Sequence, residues 1–330
     1  MFNLKSVALA LTAAVIGATA LQAQETITVG MANSVNQVPS LVAEAKGFFK
    51  DEGINVEIKP VSRGTIAIEA IVAGSMQFAE VSSVALFAAV DNGIPLITVG
   101  AGSRGFTGKM VGAPDMEPVS DIAELKGKKL GIQVGTGVHS VFLMLLKKQG
   151  LTENDFQISN VRVTDMPTAM ASKGTFDAVL GWEPMMQRTV QAGYGKEIIS
   201  ADQFQKMAGI TYPLILVADK NWVAEHKDAT QAFVNAYARA HKWIRENPEE
   251  ALKIYTDYIQ AAGNALDEDI VRKMMFEVDK FGGVNFIPSD QSEFTDTRDF
   301  LFEKGQIKSK PELADIMDPS FGDAAEAKLK

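Results

Sequence analysis

Residues 26–99 read TITVGMANSVNQVPSLVAEAKGFFKDEGINVEIKPVSRGTIAIEAIVAGSMQFAEVSSVALFAAVDNGIPLITV. Thr26 to Met31 is a short β-branched run that ends in a polar loop, Asn33 to Gln37. Residues 38–52 then set Val38, Leu41, Val42, Ala45, Phe48 and Phe49 at helical spacing, with Gly53 as the stop. A second strand, Asn55 to Val61, passes through Ser62-Arg63-Gly64-Thr65 into a helix ending near Gly74. A third, Gln77 to Val81, meets Ser82-Ser83, which opens an apolar helix closed by Asn92-Gly93. Ile94 to Val99 is a fourth strand. Three βα units joined this tightly predict an α/β fold with a parallel sheet and right-handed crossovers.

The same grammar extends outward through the chain. The spacing predicts a strand over Lys129 to Val134, a Gly135-Thr136-Gly137 turn and a helix from Val138 to Gln149. A strand at Asn160 to Val163, a short helix at Met166 to Lys173 and strands at Asp177 to Trp182 and Leu214 to Ala218 follow. Beyond these the chain reads as helical: Thr230 to Glu246, a helix initiated by Pro248, and 267–280. No low-complexity linker separates the parts.

Across 330 residues, 46% are hydrophobic and 22% charged, an ordinary globular composition with room for two domains. Acidic residues outnumber basic ones by 41 to 32, which speaks against a basic nucleic-acid face. There is no cysteine, so disulfides, thiol catalysis and cysteinyl zinc sites are excluded. His139, His226 and His241 form no ligand pair, and no metal or cofactor is expected. At the N-terminus, Lys5 precedes an apolar, small-residue run from Val7 to Leu21 with a small-residue exit at Leu21-Gln22-Ala23. That pattern predicts a signal peptide over 1–23 and a periplasmic mature chain.

Enzymatic motifs fail on context. Gly100-Ala101-Gly102-Ser103-Arg104-Gly105 matches G-x-G-x-x-G, yet the β-like, glycine-broken Phe106 to Gly112 follows where a dinucleotide site needs a helix. Ser140 beside His139 lacks a nucleophile elbow. What recurs is a strand, then small polar residues, then a helix start: at Asn33 to Gln37, Arg63 to Thr65, Ser82-Ser83 and Thr136 to Ser140. Helix starts offer free N–H groups and a positive dipole end, so several together would favour an anion, although Ser and Thr are also plain N-caps.

Four phrases carry a family likeness: VPSLVAEAKGFFKDEGINVEI (38–58), AIVAGSMQFAEVSS (70–83), LKGKKLGIQVGTGVHSVFLMLLKKQGL (125–151) and DAVLGWEP (177–184). With the signal peptide, they resemble the periplasmic solute-binding proteins of ABC importers for taurine, aliphatic sulfonates and nitrate. That superfamily also holds binders of thiamin-pyrimidine precursors and an enzyme that makes the pyrimidine. The resemblance implies a two-lobed, type II periplasmic-binding-protein fold. Each lobe would be a mainly parallel sheet flanked by helices, closing like a flytrap on a ligand in the interlobe cleft. It places lobe 1 at 24–105 plus 206–330 and lobe 2 at 106–205.

The family's cleft loops map onto Asn36, Gln37, Arg63, Gly64, Ser82, Ser83, Thr136, His139, Trp182, Glu183 and Tyr212. Arg63 would hold a sulfonate or carboxylate by its guanidinium. Glu183 would take the ammonium of an amino-sulfonate, because Tyr212-Pro213 stands where a carboxylate is expected. Each residue also has a plain alternative: Arg63 in a rim salt bridge, Glu183 as a latch, Trp182 in a lobe core, His139 as a helix-start residue, and Arg104 facing the cleft or solvent. The implied function is capture of a small anion or zwitterion, as a monomer without catalysis, for delivery to an ABC permease. Pyrimidine-precursor binding or synthesis, or service as a sensor for a membrane signalling partner, are the alternatives.

Overall fold

A computed structural model describes residues 26–32, 34–210, 212–263, 265–276 and 281–330. The expected signal peptide lies outside the described residues. The strands are β1 (Thr26–Ala32), β2 (Asn55–Val61), β3 (Phe78–Ser82), β4 (Leu96–Ala101), β5 (Gly108–Gly112), β6 (Lys129–Ile132), β7 (Gln157–Asn160), β8 (Ala178–Trp182), β9 (Lys196–Ile199) and β10 (Leu214–Asp219). They form two five-stranded sheets, ordered β2-β1-β3-β10-β4 and β7-β6-β8-β5-β9.

The two sheets share one plan. In the first, β1 runs parallel to β2 and β3, and β10 lies antiparallel between β3 and β4. In the second, β6 runs parallel to β7 and β8, while β5 is antiparallel to β8 and β9. The antiparallel strand is in each case the one that follows a passage from one sheet to the other. The tight βα units thus make the predicted parallel core, but β3 and β4, neighbours in sequence, are parted by a strand arriving from residue 214.

Fifteen α-helices cover the sheets among the described residues; those that matter below are α1 (Val38–Ala45), α2 (Phe48–Asp51), α3 (Gly64–Val72), α4 (Ser83–Asp91), α5 (Gly137–Lys148), α6 (Met166–Ala171), α7 (Met185–Gln191), α8 (Ala201–Ala208), α9 (Lys220–Glu225) and α10 (Lys227–Glu246). The helix predicted over 38–52 is split in two, because Gly47 adopts φ 74° and breaks the run between Ala45 and Phe48. The strand predicted at 160–163 pairs earlier, with Lys129 opposite Gln157 and Ile132 opposite Asn160. Val163 instead starts a 3₁₀ turn whose N–H donates to Gln133 Oε1 at 2.8 Å.

Separate hydrophobic cores hold the halves. Behind the first sheet, α10 presents Phe233, Tyr237, Ala240 and Ile244 on one helical face, and Phe233 stacks on Phe78 with ring centroids 4.3 Å apart. In the second, Phe106, Met110, Leu130, Phe142, Leu180 and Phe204 are fully enclosed. Arg104 does not face the cleft or solvent. It is buried, paired with Asp290 at 2.6 Å and bonded to the carbonyls of Gly283 and Asn285, so it straps the later chain to the segment between the sheets.

Candidate functional site

The carboxyl ends of the strands in both sheets face a shared cavity of about 90 Å³. Three helices begin at its wall. Ser82 caps α4 by accepting the Ala85 N–H at 3.4 Å, and Thr136 caps α5 by accepting the His139 N–H at 3.3 Å. Arg63 occupies the cap position of α3 in extended conformation and makes no side-chain cap bond. The starts of α3, α4 and α5 therefore aim positive dipole ends at one small volume.

Of the expected residues, Asn36, Gln37, Arg63, Gly64, Ser82, Thr136, Trp182 and Tyr212 line this cavity. Arg63 is exposed at the rim, and no described carboxylate lies within ion-pair distance of it. Asn36 donates to Gly105 O at 3.3 Å and so ties the wall to the segment between the sheets. Tyr212 is the one non-glycine residue with positive φ among those described, at 47°. Its N–H donates to Glu293 Oε2 at 2.7 Å, which holds this strained turn. Burial raises its phenol well above the ordinary range, opposed by a hydrogen bond with Ser82. A Cβ on Gly137 would sit 1.7 Å from the Tyr212 hydroxyl oxygen, so a glycine is needed where α5 meets the opposite wall.

Three expected residues are placed elsewhere. Ser83 is buried at the start of α4 but does not line the cavity. His139 turns to Glu153, with Nε2 3.3 Å from its carboxylate, and burial lowers its pKa. It is the helix-start residue of the plain alternative. Glu183 also lies off the cavity lining: its carboxylate meets Lys109 at 2.7 Å and accepts the Gln187 N–H at 2.9 Å. Lys109 also meets Glu197 at 2.6 Å. Burial by itself would drag that ammonium down, but the two carboxylates more than offset it and hold it above its usual range.

The acidic group in the cavity is Glu80, which the sequence reading passed over. It accepts from Tyr237 Oη at 2.8 Å, and from the Ser103 N–H and Oγ at 3.3 and 3.4 Å. Burial pushes its carboxyl up to about 7 even though those hydrogen bonds pull down. A legible signal existed: Phe78, Glu80 and Ser82 share one face of β3, so a charge interrupts an apolar strand two residues before a helix cap. Thr65 also lines the cavity, and its buried hydroxyl has no partner among the described residues.

The NMT1/THI5-like family profile matches residues 34–251. The chain belongs to that family. A putative binding protein of Brucella abortus is 24% identical over 219 residues, and this chain spans 66% of that relative's length. A protein of Aspergillus parasiticus named 4-amino-5-hydroxymethyl-2-methylpyrimidine phosphate synthase is 25% identical over 245 residues, covering 71% of this chain and 70% of that one. Among solved structures, the zinc-bound ligand-binding component of an ABC-type import system from Staphylococcus aureus superposes with TM-score 0.76 at 17% identity, covering 92% of this chain and 99% of that one. The alkanesulfonate-binding protein SsuA from Xanthomonas axonopodis, bound to MOPS, gives 0.74 at 16% identity, with coverage of 90% and 99%. These likenesses establish the two-lobed periplasmic-binding-protein fold. Among the described residues, no group of three His, Cys, Asp or Glu side chains is placed to hold a metal.

Proposed function

We propose that this protein is the solute-binding component of an ABC importer, working as a periplasmic monomer, and that it captures a small organic anion of the sulfonate or amino-sulfonate class. One observation carries the reading: Arg63, with no ion-pair partner among the described residues, and the starts of α3, α4 and α5 converge on one cavity between the sheets. In this reading the passages between lobes are taken at 102–107 and after α8, which runs through position 205 and buries Phe204 in the second core. An anion touching both lobes stabilises the closed form by its differential contacts, and a permease reads that form. We read the site as one for binding rather than turnover, in line with the binding proteins that the chain resembles.

A thermal-shift panel of ethanesulfonate, taurine, nitrate, acetate and a hydroxymethylpyrimidine tests this. Sulfonates should raise the melting temperature through selective binding to the folded chain. Arg63→Ala should weaken the binding of ethanesulfonate at least tenfold, given about 1.5–3 kcal/mol for a charge-assisted contact. A response to the pyrimidine alone, or equal affinity in the variant, overturns the anion reading.

A further inference from the structure

The cavity has a second chemical end. Gln37 is 1% exposed, and its Nε2 donates to the backbone carbonyl of Glu80 at 3.3 Å. That bond fixes the amide's orientation and leaves Oε1 a buried acceptor with no donor among the described residues. Glu80, whose main-chain carbonyl takes that bond, also lines the cavity. Its carboxylate receives only neutral donors, one from Tyr237 on Oε2 and two from Ser103 on Oε1, and no described cation lies within ion-pair distance. A carboxylate has about four lone-pair sites, so acceptor capacity remains. The backbone is drawn close to it: a Cβ on Gly102 would fall 2.5 Å from Glu80 Oε1. Buried acceptors without donors and buried carboxylates without counter-charge both cost free energy, and a cationic N–H donor relieves both at once.

We propose that Glu80 and Gln37 form an ammonium-binding subsite, so that the ligand is a short zwitterion whose anion lies toward Arg63 and whose N–H donors lie on these two acceptors. The inference rests on the reading of this cavity as the ligand site, and it moves the ammonium from Glu183, where position in the chain would place it, to the opposite sheet. The small cavity limits the linker between the two charges to a few atoms. Burial leaves Glu80 poised near neutrality, so a ligand cation would complete its ionisation. Tyr237 from α10 faces it, His241 lies behind Tyr237, and the nearby Arg104 is committed to Asp290.

The test is calorimetry at pH 8 with two probes that share a sulfonate, taurine and ethanesulfonate, on the full mature chain. The wild type should bind taurine at least tenfold more tightly. Glu80→Gln should bring the two within threefold of each other while ethanesulfonate affinity stays within threefold of the wild-type value. Gln37→Ala, which leaves the buried carboxylate intact, should cut taurine affinity about fivefold or more and spare ethanesulfonate. Equal wild-type affinities, or equal losses for both probes in either variant, overturn the subsite. Failure of the parent reading looks different, because the wild type then binds neither sulfonate.

Discussion

Glu80 and Glu183 are buried to the same degree, 4% and 3% exposed, one within and one just past equivalent strands of the two sheets. Glu80 lies in β3 and Glu183 directly follows β8, each the third strand of its sheet with the antiparallel strand as its next neighbour. That neighbour makes the difference. In the second sheet β5 brings Lys109 opposite Gly181, within reach of Glu183. In the first sheet β10 places Leu216 opposite Glu80, and the carboxyl is left with a phenol, a backbone amide and a hydroxyl. One carboxylate is consumed by the fold and the other is left for a ligand. Burial alone does not mark a functional acid; the absence of an internal counter-charge does.

The sharpest way to break this contrast is to remove the counter-charge. Lys109→Met should strand Glu183 and deprive Glu197 of the same ammonium, costing about 3–5 kcal/mol, the range for breaking a buried pair from one side. Urea denaturation reads this directly, and an unchanged midpoint would show that Glu183 is solvated after all. Since neither residue lines the cavity, ligand affinity should change little in the variant that remains folded.

The next effect is a pH slope. Glu80 is raised from 4.5 in the unfolded chain to about 7 in the folded one. Below 4.5 both states hold the proton and no penalty applies. As pH rises from 4.5 to 7 the unfolded chain releases it first, so folded stability falls, by roughly 3 kcal/mol at 1.36 kcal/mol per unit. Glu80→Gln should lack this fall. His241, held neutral down to about 3 mainly by burial, adds stability as pH rises to 6.5, but equally in both proteins, so it cancels in the difference. Denaturation at pH 5 and pH 8 gives that difference, and identical slopes would place Glu80 in water.

Much of the frame was legible in the sequence because βα periodicity is local. β1 to β3, the caps at Ser82 and Thr136 and the walls near Asn36, Gln37 and Arg63 all follow from residues within a few positions of one another. What was illegible depends on residues far apart in the chain. Nothing near Glu183 announces a lysine 74 residues earlier, and nothing near β3 announces that residue 214 returns to pair with Ser82. The stretch with α7, β9 and α8 gave no strong period, since Lys196-Glu197-Ile198-Ile199 is a four-residue edge strand that needs β5 to exist. Glu80 is readable in principle as a charge inside an apolar strand, whereas its hydrogen-bond partners Ser103 and Tyr237 lie 23 and 157 positions away.

The smallest effect compares the two helix caps that face each other across the cavity. Ser82→Ala and Thr136→Ala each remove an oxygen that accepts a helix N–H, worth about 1 kcal/mol. Thr136 also donates to Gln133 O, a bond within its own lobe. Ser82 instead bonds the hydroxyl of Tyr212, and that hydroxyl lies against Gly137 at the start of α5. The serine should therefore be coupled to the contact between the lobes and the threonine should not. A double-mutant cycle with Tyr212→Phe separates them: Ser82→Ala should show a coupling of at least about 0.5 kcal/mol with Tyr212→Phe, and Thr136→Ala should be additive with it. Additivity in both cycles would mean that the Tyr212 hydroxyl closes the cavity by shape alone.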